Sequence, residues 1–296
     1  LLSLGQGTLD FFKGTSSNPD YEYQPLKAIK SNDDMANDNN SPYIKSRNPV
    51  RLGKFVNNLL PNKYDEKVFE IGRIFRNEGI STTHLQDYTQ MEFYWAYGDF
   101  EGMMKFVQKM YQQILQDTFG TLEITSGGVT CDWSGDWEKV DYMALFKEHT
   151  GLDLESVSDD ELKDYAKAQH IKFDDFAQRG RIIDLIFKKV RTNIKTDKPV
   201  FLINQPIELE PLAKRDPNNP KVVQRMQIIA YGTELGKGFG ELNDPIDQRK
   251  RFEEQMKLRE GGDTEAQMLD EDYLEAMEYG MPPAAGFGVS ERLFSQ

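Results

Sequence analysis

Acidic, amide and phenolic side chains alternate with apolar ones along one short segment of the chain. This segment, "YTQMEFYWAY" (residues 88–97), is rich in aromatic residues, which predicts a strand. Alternation gives the strand a polar face with Gln90, Glu92 and Tyr94 and an apolar, core-facing side with Met91, Phe93, Trp95 and Tyr97. The polar face is either solvent-facing or the floor of a binding site.

A second predicted strand, "VFEIGRIFR" (residues 68–76), offers Glu70 and Arg76 at the same parity. Arginine is a planar, permanently charged fork that binds carboxylate and phosphate groups through paired hydrogen bonds. The alternative for Arg76 is a cross-strand ion pair with Glu92. The polar loop between the two strands carries Glu78 and His84 and is long enough to reach over a ligand.

Further candidate residues lie in the carboxyl-terminal part of the chain. Glu234 and Glu241 are seven residues apart, but the three glycines of "ELGKGFGE" permit a bulge, so spacing does not establish a shared face. Surface exposure of both glutamates is the alternative. Arg292 follows a glycine-rich segment and, taken alone, is an ordinary surface arginine.

Composition limits the classes of function. Hydrophobic residues make up 38% of the chain and charged residues 29%, as in an ordinary globular protein. The 49 acidic and 36 basic residues give a net charge of -13, which opposes nonspecific binding of nucleic acid by the whole chain. Any RNA contact must therefore be local. The most basic stretch, residues 179–198, is either such a contact or a solvated helix face.

Cysteine and hydropathy patterns exclude other classes. Cys131 is the only cysteine and the three histidines are scattered, so no internal disulfide framework or structural zinc site is predicted. The sequence has neither a basic leader nor an apolar run of the ~20 residues that a membrane span needs. We therefore expect a cytoplasmic protein without a membrane segment.

Regular structure is predicted after a polar, loop-rich segment, residues 14–50. Helical spacing predicts a helix between Asp99 and Gly120, helices within residues 142–195, and helices at residues 245–259 and 270–280. Strands are predicted around Gly127 and Gly128, at residues 199–206 and at residues 225–244. The glycine-rich end, residues 282–296, is predicted to be a turn that leads into Arg292.

Two groups of motifs resemble a known family. "FEIGRIFRNEGISTTHLQDYTQMEFYWAY" resembles motif 2 of class II aminoacyl-tRNA synthetases, in the form of the lysyl and aspartyl branch. "PIELEPLAKRDPNNP", "ELNDPIDQRKRFEEQ" and "GDTEAQMLDEDYLEAMEYGMPPAAGFG" are similar to the lysyl enzymes. The resemblance implies an α+β catalytic domain over residues 1–296, with an antiparallel sheet flanked by helices and a helical insertion at about residues 141–196.

This resemblance implies that the chain activates lysine with ATP and transfers it to tRNA(Lys). Such chemistry joins a carboxylate to the α-phosphate, so positive charge must neutralise the two anions. The resemblance gives Arg76 the role of bridging the carboxylate and the α-phosphate. It implies that Glu78 accepts a hydrogen bond from the adenine amine and that His84 faces the terminal phosphate. It also implies that Tyr88 stacks on adenine and that Arg292 meets the adenine face and the γ-phosphate.

The two carboxyl-terminal glutamates also receive roles from the resemblance. Glu234 matches a ligand of Mg²⁺, a hard cation that prefers carboxylate oxygen. Glu241 matches the acid that recognises the lysine ammonium, with help from Tyr94 and Glu92. Buried acids that face an ammonium select for charge, because a neutral side chain leaves them desolvated and unpaired.

The sequence departs from the family at four places. Gln227 replaces a second magnesium glutamate, which predicts an ion bound more weakly or through water. Lys237 replaces an asparagine that contacts the substrate carboxylate, a contact that lysine can also make. Val50 stands where a glutamate for the α-amino group is expected. The segment "GFGVSER" is one residue shorter than the usual motif 3, which shifts Arg292.

The ends of the chain lack other family features. Motif 1 is not recognised, and the amino-terminal anticodon-binding barrel is absent, so we expect a fragment of a longer reading frame that forms a homodimer when full length. Two alternatives to the tRNA ligase remain. One is a synthetase-like ligase that aminoacylates a protein, and the other is a noncatalytic protein that binds an amino acid or a partner.

Overall fold

The computed structural model describes residues 67–75, 87–174, 177–194, 197–262 and 266–290. Five positions singled out above lie outside these ranges, namely Val50, Arg76, Glu78, His84 and Arg292.

The described strands form a seven-stranded sheet and a separate two-stranded hairpin. In chain order they are β1 (Lys67–Phe75), β2 (Asp87–Ala96), β3 (Glu123–Ser126), β4 (Val129–Asp132), β5 (Glu138–Asp141), β6 (Val200–Pro206), β7 (Val222–Ala230), β8 (Thr233–Gly240) and β9 (Ala284–Ser290). The sheet order is β1-β2-β9-β8-β7-β6-β5, with β3 and β4 as the hairpin. The predicted antiparallel sheet is confirmed, apart from the parallel pair of β5 and β6 at one edge.

The described helices are α1 (Phe100–Phe119), α2 (Tyr142–Thr150), α3 (Asp159–Ala168), α4 (Arg179–Arg191), α5 (Pro245–Glu260) and α6 (Glu271–Glu278). A short 3₁₀ turn, Ile207–Leu209, follows β6. The predicted α+β class is therefore confirmed. Within the described ranges, none of the helices combines the length and apolar character that crossing a bilayer requires.

Helix α1 covers one face of the sheet and has the ends that the sequence predicts. The Asp99 carboxylate accepts a hydrogen bond from the backbone N–H of Gly102 at 2.5 Å, and Gly120 ends the helix in the left-handed conformation at φ 69°. Each large apolar side chain that a helix buries contributes about 1.5–3 kcal/mol to the stability of the fold. Those of α1 are Met103, Met104, Val107, Met110, Tyr111, Ile114 and Leu115, and they pack with Phe93, Met226, Ile228 and Phe287 of the sheet.

Helices α2, α3 and α4 lie in the predicted helical insertion. Helix α3 begins with a capping box, in which Ser158 and Glu161 bond to each other's backbone N–H groups. The buried side chains of these helices form a second cluster with Val200, Leu202 and Ile229 of β6 and β7. These three helices therefore cover one end of the sheet face that lies opposite α1.

Two expectations from the sequence are wrong. Residues 284–290 are not a turn but β9, a strand with neighbours on both sides. Glycines normally weaken a strand, but here they allow other side chains to lie directly over the backbone. Tyr97 is not in the core: it follows the last residue of β2, has φ 61° and is 66% exposed.

Candidate active site

Strand register aligns polar residues in rows across the face opposite α1. Residues paired between antiparallel strands share a face, and their Cβ atoms are about 5 Å apart. One row contains Glu70, Glu92, Gly288, Lys237, Gln227 and Leu202. The adjacent row contains Val68, Tyr94, Gly286, Phe239 and Arg225. The predicted polar face of β2 thus continues through the glycines of β9 to Lys237 and Gln227, and we call this surface the polar floor.

Glu92 is held on this floor by two neighbours on its own strand. The amide of Gln90 donates to one carboxylate oxygen, and the Tyr94 hydroxyl donates to the other at 3.2 Å. The residue directly opposite on β1 is Glu70, so two acids share this cross-strand position. Like charges directly opposite each other on paired strands are destabilising.

Glu241 is buried beside the same floor, just after the end of β8. Its backbone N–H donates to the carbonyl of Ala284 at 2.9 Å, and its side chain is 7% exposed. Burial, followed by the charges of Glu210 and Glu92, raises the pKa of Glu241 to about 8. Burial and the charges of Glu92 and Glu241 likewise raise the pKa of Tyr94 well above its usual value.

Gly286 lets Glu241 and Tyr94 meet. A Cβ at position 286 would lie 2.5 Å from Cε1 of Tyr94 and would overlap Oε1 of Glu241. Only a residue without a side chain fits between them. The structure thus brings Glu92, Tyr94 and Glu241 together at one place on the floor.

Glu210 and Arg225 extend this acidic pocket and were not identified from the sequence. Glu210 Oε2 lies 3.7 Å from Nε of Arg225, and both side chains are only 13% exposed. The charge of Glu210 acts on Glu241 more strongly than that of Glu92 does. Glu210 stands within "PIELEPLAKRD", so the motif match indicated the segment without indicating which residue faces the pocket.

The segment that carries Glu210 is fixed to Glu241 by backbone and side-chain contacts. Ala213 forms a β-bridge with Glu241, and Lys214 N–H donates to the carbonyl of Gly240 at 2.7 Å. The buried Arg251 guanidinium of α5 donates to the carbonyl of Ala213 at 2.6 Å. Helix α5 therefore positions the acidic end of the floor.

Lys237 lies in the middle of the floor, between Gly288 of β9 and Gln227 of β7. Its ammonium lies 5.5 Å from the centre of the Phe239 ring. The adjacent glycines, Gly286 and Gly288, leave the middle of β9 without side chains on this face. The floor thus has acids at one end and a cation near its centre.

Glu234 and Gln227 are in contact, at the opposite end of β8 from Glu241. The Gln227 amide nitrogen donates to Glu234 Oε2, and the Arg191 guanidinium lies 3.7 Å from the same oxygen. A Mg²⁺ site requires several oxygen donors around one point. This set offers one carboxylate whose oxygen faces an N–H donor and a fixed cation, so it does not fit Mg²⁺ in this arrangement. Within the described residues, no cluster of three or more acidic, histidine or cysteine side chains is suited to a metal ion.

The remaining predicted site residue, Tyr88, is the second residue of β2 and pairs with Ile74. It has the same parity as Gln90 and Glu92, which places it on the polar floor toward the opposite end of β2 from Tyr94. The described part of the chain thus brings Tyr88, Glu92, Tyr94, Lys237 and Glu241 to one face. It holds Glu234 apart from Glu241 by the length of β8, and Gln227 lies on β7 opposite Lys237.

Known proteins resemble this chain over most of its length. A family model described as "tRNA synthetases class II (D, K and N)" matches residues 63–295. The lysine--tRNA ligase of Bacillus subtilis is 40% identical over 225 residues, which are 76% of this chain and 45% of that protein. That of Fervidobacterium nodosum is 40% identical over 247 residues, or 83% and 47% of the two chains. The enzyme of a Nostoc species is 45% identical over 226 residues, or 76% and 40%. The chain spans less than half the length of these curated relatives.

Proposed function

Because this chain belongs to the class II tRNA synthetase family (D, K and N), we propose that it activates lysine with ATP and transfers the lysyl group to tRNA(Lys). The observation that carries the proposal is the acidic pocket formed by Glu92, Glu210 and Glu241 beside Tyr94. Buried acids are costly unless a cation pairs with them. A lysine ammonium at this end of the floor is such a cation.

The rest of the substrate extends from the acidic pocket toward the centre of the floor. A lysine whose ammonium reaches Glu241 directs its α-carboxylate away from the acids, toward the side of the floor that carries Lys237. The ammonium of Lys237 can neutralise a carboxylate there, although asparagine is usual at this position of the family.

Arginines complete the reaction in this proposal. Arg76 bridges the lysine carboxylate and the α-phosphate, and Arg292 meets the γ-phosphate and the adenine ring. Glu78, His84 and Tyr88 are proposed to bind the adenine amine, the terminal phosphate and the adenine face. The carboxylate attacks the α-phosphorus, the bond to the bridging oxygen breaks, and pyrophosphate leaves. Positioning and charge neutralisation carry the catalysis.

Magnesium enters the proposal with ATP, because Mg²⁺ binds phosphate oxygens. No step is assigned to an ion at Glu234 and Gln227, since their arrangement does not fit one. The sequence-based expectation that Gln227 weakens metal binding stays a prediction. A homodimer, a cytoplasmic location and the helical insertion as a unit within one catalytic domain also stay predictions.

Exchange of radioactive pyrophosphate into ATP, measured with each of the twenty amino acids, tests the proposal. We expect exchange with lysine at least ~10² times faster than with an uncharged amino acid. Charging of tRNA(Lys) is then measured with the same protein. Exchange with lysine followed by transfer to a protein rather than to tRNA would support the alternative ligase, and no exchange with any amino acid would contradict enzymatic activity.

Lysine binding is expected to release a proton near neutral pH. The pKa of Glu241 is about 8 without substrate, so the carboxyl group is mostly protonated at pH 7. Pairing with an ammonium requires the charged carboxylate, and the apparent affinity should therefore rise ~10-fold per pH unit between pH 6 and pH 8. Calorimetry in buffers of different ionisation enthalpy should give close to one proton released at pH 7. An affinity that does not change over this pH range would argue against Glu241 as the ammonium partner.

A further inference from the structure

Arg191 occupies a fixed position at the junction of the insertion and the polar floor. It is the last residue of α4, whose apolar side chains are packed in the second cluster. Its Nη1 lies 3.7 Å from Oε2 of Glu234, and the two side chains are only 24% and 26% exposed. Its Nε atom is buried and has no hydrogen-bond partner within the described residues. The guanidinium therefore faces the floor rather than solvent.

A chain of amide donors fixes the other side of Glu234. The fully buried Gln205 donates from Nε2 to the carbonyl of Leu202 at 3.0 Å and to Oε1 of Gln227 at 3.4 Å. The carbonyl oxygen of Gln227 thereby accepts a hydrogen bond, and its Nε2 group donates to Glu234. The orientation of Gln227 follows from the orientation of Gln205. Glu234 thus receives an amide N–H on one side and faces a guanidinium on the other.

A divalent ion is disfavoured at this position for two reasons. Mg²⁺ requires oxygen donors in near-octahedral geometry, whereas Gln227 directs hydrogen atoms at the oxygen that the ion would use. An arginine guanidinium also stays charged at every physiological pH, so it repels a second cation at the same carboxylate. The arrangement provides one fixed positive charge where a pair of carboxylates would bind a metal ion.

We infer that the Arg191 guanidinium takes the place of a divalent ion at Glu234. The protein should therefore bind one metal ion fewer than a variant that has a carboxylate at position 227 and no cation at position 191. The inference rests on the proposed function only where it concerns ATP. With ATP bound, Arg191 and Glu234 form a permanent ion pair at this end of the floor. The Mg²⁺ that the protein needs is then only that which accompanies the nucleotide.

Binding of Mn²⁺, a paramagnetic substitute for Mg²⁺, tests the inference directly. Electron paramagnetic resonance counts the ions bound to the 296-residue chain, first alone and then with the non-hydrolysable analogue adenylyl imidodiphosphate. The double variant Arg191→Ala with Gln227→Glu is expected to bind one more ion than the wild type, at least ~10-fold more tightly than any ion that the wild type binds there. Adding Glu234→Gln should remove that extra ion.

The Glu234→Gln substitution alone, made in the wild-type protein, is the second test. We expect the Mn²⁺ count of the wild type to stay unchanged, because Glu234 already pairs with Arg191. A lower count would overturn the inference, whether or not the double variant folds. Lys188→Ala is the matched control, since Lys188 lies on the same helix and pairs with Asp184 at 2.9 Å. This control should leave the Mn²⁺ count unchanged.

These outcomes are separable from the proposed function. If the analogue does not bind, the proposed nucleotide chemistry fails, while the comparison of Mn²⁺ counts without nucleotide still decides the role of Arg191. If the analogue binds and Glu234→Gln lowers the wild-type count, the proposed function stands and the inference about Arg191 is wrong. Thermal unfolding of each variant establishes that the counts refer to folded protein.

Discussion

Replacing Glu241 with glutamine is expected to lower kcat/KM for lysine activation by ~10²–10³-fold. The substitution keeps the shape of the side chain and removes the charge that pairs with the ammonium. The remaining acids, Glu92 and Glu210, already interact with Tyr94 and Arg225. The loss should therefore fall on lysine, and the KM for ATP should change little. Pyrophosphate exchange at varied lysine and varied ATP separates the two effects.

The same variant is expected to be more stable than the wild type at pH 8. The pKa of Glu241 is raised in the folded protein from 4.5 to about 8, so the folded state binds the proton more tightly than the unfolded state. The stability that this proton contributes is present below about pH 4.5 and is lost as the pH rises toward 8. Glutamine removes that loss, and we expect a gain of at least about 1 kcal/mol at pH 8.

Glu253→Gln is the control for this prediction, because Glu253 lies on the exposed side of α5. It should change neither lysine activation nor the pH dependence of unfolding. A Glu241→Gln protein that activates lysine as well as the wild type would show that the ammonium binds elsewhere. Equal stability of the two proteins from pH 5 to pH 8 would show that Glu241 is not the buried group described above.

Changing Gly286 to alanine is expected to raise the KM for lysine ~10²-fold. The new methyl group would lie within 2.6 Å of two ring atoms of Tyr94 and would overlap the Glu241 carboxylate. Because Gly286 pairs with strands on both sides, the backbone cannot move away without breaking the sheet. One or both side chains must shift, and overpacking of this kind costs about 1–3 kcal/mol of stability. Kinetics with lysine and thermal unfolding measure the two effects.

Gly72→Ala makes the same chemical change in β1 without the overlap. The nearest atom to a Cβ at position 72 is Oε1 of Glu70, at 3.6 Å, which is an ordinary contact. We expect this variant to bind lysine normally. Equal effects of the two substitutions on the lysine KM would mean that glycine in these strands matters for the backbone rather than for the approach of Glu241 and Tyr94.

Local signals in the sequence predicted most of the elements. Asp99 and Gly120 marked the ends of α1 because their roles depend only on neighbouring residues. Alternation along β2 predicted its two faces for the same reason, and Met91 and Phe93 are 5% and 3% exposed. The acidic pocket was predicted through motif resemblance, since its members Glu92 and Glu241 are too far apart in the chain for spacing to connect them.

The remaining features depend on contacts between distant segments. Residues 284–290 contain two glycines and were predicted as a turn, because no local signal shows that Tyr94 and Glu241 need the space that those glycines leave. The sequence does not distinguish Glu210 from the many acids of the surface. The β-bridge between Ala213 and Glu241 brings the segment of Glu210 beside Glu241. Arg191 lies in a basic stretch, and the sequence does not distinguish it from its basic neighbours. Its contact with Glu234 depends on the fold.

The place of β9 in the sheet has a consequence for synthesis of the chain. Among the described strands, β1 and β2 join the rest of the sheet only through β9, although nearly two hundred residues separate β2 from β9 in the chain. During translation, the hairpin of β1 and β2 therefore keeps one edge unpaired until β9 has been synthesised. An uncovered edge can pair with other chains, so translation exposes this hairpin to aggregation for as long as the intervening segment takes to be made.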